Sequence, residues 1–189
     1  MRMTMIALLC AAAVQPLAAA TFTAAPHTQH KIDLDTAPGH YSLWEADDLT
    51  GLNAVRAHFR VRIAAKDPQW GPVFRFQVQR GDELAQVTLL GFAGKKPILL
   101  QLDQRLQAGE QPKSEMFATG TQIGEELDLE IDWTPDGEIS FTIRSPQSLL
   151  LSAQGERHTT KLSGAPTKFS ILGSTGEIEV QSLALGTTG

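Results

Sequence analysis

The sequence predicts an all-β fold: a two-sheet antiparallel sandwich of jelly-roll type. Three observations predict it. Residues 126–133, ELDLEIDW, alternate acidic and apolar side chains without a break, and similar alternation recurs along the chain. Side chains alternating with period two fall on opposite faces of a half-buried strand. Clusters of Gly, Pro, Asp and Ser separate these runs at short intervals, and no long segment has helical spacing. About a dozen short strands with regular turns close into a sandwich or a barrel.

The first twenty residues, MRMTMIALLCAAAVQPLAAA, stand apart. Arg2 precedes an apolar run from Met5 to Val14, and Ala18, Ala19 and Ala20 supply small residues for cleavage. This layout predicts a signal peptide, and its apolar run is too short to span a bilayer. The protein is therefore expected to be exported, to the periplasm or the extracellular space. Cys10 is the one cysteine and lies inside this segment. Leu8 and Leu9 precede it, where a lipidation site wants a small residue. After cleavage no cysteine remains for a disulfide, a thiolate metal site or a thiol nucleophile. Residues 21–30, TFTAAPHTQH, read as a flexible leader, and one β-sandwich domain is expected over residues 31–187.

Within that domain the alternation predicts strands at 31–34, 41–45, 54–65, 72–80, 84–91, 97–103, 126–133, 138–144, 148–153, 157–162, 167–172 and 177–185. The punctuation between them includes Pro38-Gly39, Asp67-Pro68, Gly81-Asp82, Pro135 to Gly137 and Gly173 to Gly176. Val55, Ala57, Phe59, Val61 and Ile63 form one face of the 54–65 strand, and Arg56, His58, Arg60 and Arg62 the other. Phe74, Phe76 and Val78 are expected inward, with Arg75, Gln77 and Gln79 outward. In the last strand Leu183 and Leu185 are one residue out of phase with Ile178 and Val180, which a bulge near Gln181-Ser182 corrects. Residues 104–124 carry Gly109, Pro112, Gly120 and Gly124 and read as a long surface loop. A loop of that length is functional or hides an element.

Composition narrows the function classes. An apolar fraction of 42% with 20% charged residues suits a globular core and argues against disorder. A formal charge of −5 argues against a general nucleic-acid binder. No second apolar stretch is long enough for a membrane span.

Three segments resemble the concanavalin A-like lectin/glucanase superfamily. Residues 57–78, AHFRVRIAAKDPQWGPVFRFQV, resemble the extended basic strand, turn and aromatic-rich strand of laminin-G-like domains and laminarinase-type glucanases. Residues 127–143, LDLEIDWTPDGEISFTI, are similar to the hairpin in which a tryptophan ends one strand and Asp-Gly starts the next. Residues 168–186, KFSILGSTGEIEVQSLALG, look like the closing strands. The likeness covers most of the chain after residue 20 and implies fold more than activity.

In laminarinase-type glucanases an acidic ladder on one strand supplies nucleophile and acid, and Glu126, Asp128 and Glu130 have that spacing. Alternation puts successive side chains about 7 Å apart on one face. Retaining hydrolysis wants two carboxyls roughly 5 Å apart. The resemblance, however, places the catalytic strand before the Trp-Thr-Pro-Asp hairpin, near residues 81–90, where only Asp82 and Glu83 are acidic. No catalytic residue is therefore assigned, and the ladder stands as the alternative. Arg56, His58, Arg60 and Arg62 form a basic ladder of the same period. Paired across one sheet, the two ladders would stabilise each other by about 0.2–1 kcal/mol per pair. The alternative for the arginines is bidentate contact with an acidic glycan.

The expected function is a non-catalytic binding or accessory domain with a carbohydrate ligand. A glycan-active hydrolase or lyase on the same fold and a structural or protein-interaction module, docking through an edge or the 104–124 loop, are the other two readings. The ligand-binding residues expected are Trp70, Arg60, Arg62, Arg75 and His58. Trp70 sits in the turn Asp67-Pro68-Gln69-Trp70-Gly71 and is the best-placed sugar platform. Trp44 and Tyr41 are a weaker pair, and Trp133 falls on the apolar face. His27, His30, His40, His58 and His158 lack metal-ligand spacing, so no metal and no cofactor is assigned. Calcium is common in the superfamily resembled; Asp47, Asp48 and Asp136 are the oxygen donors on offer. Gly-x-Ser-x-Gly is absent, as is a glycine-rich phosphate loop.

Overall fold

The computed structural model describes residues 21–64, 72–92, 95–118, 120–145 and 155–189. The chain is all-β and antiparallel. Ten strands run in the order β1 (Phe22–Ala46), β2 (Ala54–Ala64), β3 (Val73–Arg80), β4 (Glu83–Phe92), β5 (Lys95–Arg105), β6 (Lys113–Met116), β7 (Glu126–Trp133), β8 (Glu138–Arg144), β9 (Glu156–Lys161) and β10 (Lys168–Thr188). No helix among the described residues is long and apolar enough to cross a membrane.

All ten strands belong to one hydrogen-bonded sheet, which β10 folds into two halves. Residues 168–174 of β10 pair with β3, and residues 176–186 pair with β2. The β3 half continues outward through β4, β5 and β6; the β2 half continues through β7, β8 and β9. β1 runs along the other edge of β10 in both halves, with residues 41–46 beside the β3 half and 22–36 beside the β2 half.

The fold line lies at Thr175, a buried β-branched residue with a φ of 56°. Such a conformation is costly for threonine and needs support from its surroundings. Here the Gly39 amide donates to Thr175 Oγ1 (3.4 Å), and β1 skips residues 37–40 in its pairing. Both strands of the ribbon thus bend at the same level.

The two halves close on a single core. Val55, Ala57, Phe59 and Val61 meet Leu127, Leu129, Ile131, Ile139, Phe141 and Ile143 from one half, and Phe74, Phe76, Val78, Val87, Leu89 and Leu100 from the other. Trp133 lies in this core, as its phase predicts. The expected bulge is present: β10 shifts register between Val180 and Ser182, which returns Leu183 and Leu185 to the core.

Four expectations need correction. Residues 22–30 are not a leader but the first part of β1, paired with the end of β10. Their pattern hides this because β1 is an edge strand whose register shifts across residues 25–28, which absorbs Pro26, and again between His30 and Ile32. The strands expected at 31–34 and 41–45 are one strand, as are those at 167–172 and 177–185. Gly173 to Gly176 punctuates a bend inside β10 rather than a reversal. Finally, the 104–124 loop contains β6, and Ile98 and Thr121 form a bridge beyond it. The strand expected at 148–153 lies outside the described residues.

Candidate functional site: the outer faces of the two halves

The outer face of the β2 half is an ion-pair lattice. Register places Arg56 opposite Glu130, His58 opposite Asp128 and Arg60 opposite Glu126. Arg56 Nη2 lies 2.7 Å from Asp132 Oδ1, and its Nε lies 3.9 Å from Glu130. Arg144 also pairs with Glu130. The His58 ring sits between Asp128 (2.7 Å) and Glu126 (3.7 Å). Arg60 and Arg62 turn to β10, to Glu179 (2.8 Å) and Glu177 (3.0 Å) respectively. Glu126, Asp128 and Glu130 do share one face, yet each is already matched to an arginine or a histidine. The two ladders set strand order and register, at about 0.2–1 kcal/mol per half-exposed pair.

The outer face of the β3 half has different chemistry. One cross-strand row reads Glu45, Ser170, Gln77, Gln86, Asp103 and Ser114, from β1 to β6. The neighbouring row reads Leu43, Leu172, Arg75, Thr88, Gln101 and Met116. Hydroxyl and carboxamide groups dominate the middle of both rows, and Leu43 and Met116 are exposed at the ends of the second.

Asp103 organises this face. Its carboxylate is 3% exposed and accepts four hydrogen bonds, all from neutral groups. Thr88 Oγ1 (2.6 Å) and Gln86 Nε2 (3.1 Å) donate to Oδ2; Gln101 Nε2 (2.8 Å) and Ser114 Oγ (2.5 Å) donate to Oδ1. A buried carboxylate is costly without such partners, and bonds to a charged acceptor are the stronger kind. Four donors from three strands are thereby held in fixed orientations. With Nε2 of Gln101 and Gln86 committed to Asp103, the carboxamide oxygens are left to accept from elsewhere. Arg75 stands beside them with no ion pair among the described residues, and its buried Nε has no protein acceptor. Nε of Arg105, two residues along β5 from Asp103, is in the same state.

The residues expected to bind ligand are thus divided. Arg60, Arg62 and His58 share the outer face of the β2 half; Arg75 is on the outer face of the β3 half. One binding face cannot contain all four. Trp70 lies outside the described residues. Trp44 packs on the core instead of facing solvent, edge-on to Phe169 and 5.0 Å from the His30 ring. Tyr41 is 72% exposed. The Asp103 cluster was not anticipated. Its signal was there in part: Gln86 and Thr88, and Gln101 and Asp103, are polar alternates within strands whose other face is apolar.

The proposed calcium donors are engaged separately. Asp48 accepts the Thr50 amide, which holds its carboxyl below the usual value. Asp47 lies 3.4 Å from Lys168, whose pKa is raised mainly by its bond to Glu45. Asp136 is held low by the Thr134 hydroxyl first and Lys161 second. Among the described residues no group of three or more His, Cys, Asp or Glu converges as for a metal. Asp47 and Asp48 also line a cleft of about 500 Å³ at one end of the sandwich, over Trp133 and Arg80.

No family model and no curated protein sequence matches the chain. Solved structures do match in fold. The CBM2 module of the evolved Dit of Lactobacillus casei BL23 phage J-1 aligns over 89% of this chain and 79% of its own, with a TM-score of 0.55 and 12% identity. A legume lectin-like domain from Entamoeba histolytica aligns over 90% of each chain, with a TM-score of 0.53 and 12% identity. The alginate lyase from Klebsiella pneumoniae aligns over 73% of this chain and 59% of its own, with a TM-score of 0.50 and 10% identity. These identities carry the architecture alone: an all-β jelly-roll sandwich.

Proposed function

We propose that this chain is an exported, non-catalytic carbohydrate-binding domain of concanavalin A-like type, and that it binds sugar on the outer face of the β3 half. The observation that carries this is the Asp103 cluster. Sugar hydroxyls both donate and accept, so they are read by side chains that present both kinds of group in fixed positions. The carboxamide of Gln101, held by Asp103 over the buried Gln86, that of Gln77, held by Gln79, and the guanidinium of Arg75 are such a set. The matches to a CBM2 module and a legume lectin-like domain support a carbohydrate ligand, and the layout of residues 1–20 supports export.

The centre of the β2 half suits this role less well, because Arg56, Arg60, Arg62 and Arg144 are paired with its own carboxylates. The same neutralisation weighs against the enzymatic alternative, a hydrolase or lyase working through Glu126, Asp128 and Glu130. A glycan array carrying neutral and uronate-containing saccharides tests the proposal, with Arg75→Ala, Gln77→Ala and Trp70→Ala as controls. Binding that Arg75→Ala and Gln77→Ala abolish is the expected result. Binding to no glycan, or binding indifferent to both substitutions, refutes it.

A further inference from the structure

A second cleft, of about 550 Å³, opens on the β2 half, away from the Asp103 cluster. Arg56, Glu130 and Arg157 line it, and one cross-strand row joins them from β2 through β7 and β8 to β9 by way of the buried Thr142. Arg144 and Asp132 flank that row. Phe22, the first residue of β1, forms an apolar wall.

The wall is built deliberately. Phe22 pairs with Thr188, and its ring lies against Gly186, where a Cβ would approach ring carbons to 2.9 Å. On the ring sits Arg56, its guanidinium carbon 5.0 Å from the centroid. A Cβ at 186 would meet the Thr23 carbonyl oxygen closer still, so glycine there admits first the β1 backbone and then the ring.

The charges in the cleft are unequal. Three guanidiniums line it against two carboxylates. Arg56 is bound to Asp132, and Arg144 pairs with Glu130. Arg157 is exposed and makes no ion pair among the described residues. In the row between Arg157 and Glu130 stands Thr142, which is buried and leaves Arg157 unopposed at the cleft surface. A carboxylate entering there meets a guanidinium that matches it bidentately.

We propose that this cleft is a subsite for a carboxylate-bearing saccharide, a uronate-type residue held by its carboxylate on Arg157. Glu130 and Asp132 favour a saccharide over an acidic peptide. They accept from sugar hydroxyls, whereas a run of peptide carboxylates would be repelled by both. An inorganic sulfate has no hydroxyl to offer them. This subsite stands on different residues from the Asp103 face, so either one can fail without the other.

The test is titration of the purified protein with trigalacturonate, followed by calorimetry and by backbone-amide shifts. Its methyl ester and a tetraglutamate peptide serve as comparison ligands. Shifts are expected on β8 and β9, around Thr142 and Arg157. Arg157→Gln and methyl esterification should each weaken binding at this site by about tenfold or more. Phe22→Ala should weaken it too, whereas Arg75→Ala should leave these shifts in place. Equal affinity for the methyl ester or for tetraglutamate, full binding by Arg157→Gln, or no shift on β8 and β9 would overturn the proposal.

Discussion

Phe59 of β2 and Phe76 of β3 meet across the core with ring centroids 4.6 Å apart, although no hydrogen bond joins their strands. Each lies two strands from the other through β10, one on each half of the folded sheet. Their contact is therefore tertiary packing that holds the halves face to face. Truncating either ring to alanine should cost about 3–5 kcal/mol, because both are fully buried. The double variant should lose less than the sum of the two, by about 0.5–1.5 kcal/mol. Urea unfolding of the four proteins measures this coupling.

Asp103 should be a structural keystone as well as part of the binding face. Asp103→Ala strands four donors, at about 1–3 kcal/mol for each donor that stays buried and unpaired. Asp103→Asn keeps the shape but turns an all-acceptor group into one with donors of its own, so it should fall between wild type and alanine. Thermal unfolding ranks the three, and glycan affinity should fall in the same order.

The Arg56–Asp132 pair should contribute little to stability. Both side chains are partly exposed, and a double-mutant cycle should return about 0.2–1 kcal/mol, shrinking as salt is added. A coupling well above that range, unaffected by salt, would show that the lattice does more than fix register.

Residues 21–30 should be needed for the fold. Their removal would uncover the edge of β10 from Leu183 onward, including the segment that Phe22, Thr23 and Ala24 pair with. A chain beginning at residue 31 should melt earlier and aggregate through the exposed edge. An unchanged melting temperature would restore the idea of a dispensable leader.

Acid should selectively remove the contribution of the 134–138 turn. Asp136 has a folded pKa below its ordinary 3.8, so its ionised form stabilises the fold above that value. The contribution is lost as pH falls through the lowered value. Asp136→Asn should therefore be slightly less stable than wild type at pH 7, and the gap should close in strong acid. Chemical denaturation at both pH values checks the sign.

Much of the architecture was legible because the alternation is clean. β2, β3, β7 and β8 follow it residue by residue, and the opposite signs of the Arg56–Arg62 and Glu126–Asp132 ladders announced their pairing. β10 was split in two because a bend at Thr175 looks like a turn when only the glycines around it are read. β1 was legible only in pieces, at 31–34 and 41–45, because an edge strand with bulges has no reason to alternate strictly. β6 spans four exposed residues, too few and too polar to give a period. The Asp103 cluster escaped for another reason: its members come from β4, β5 and β6, and only cross-strand register brings them together. Arg60 and Arg75 were grouped for their chemistry, but β10 sends their strands to different halves.

The most direct test of the central claim is a map of backbone-amide shifts with the tightest-binding glycan from the array. The account predicts perturbations around Arg75–Gln77, Gln86–Thr88 and Gln101–Asp103, lost in Arg75→Ala. Perturbations confined to the β2 half, or a map unchanged by Arg75→Ala, would contradict it.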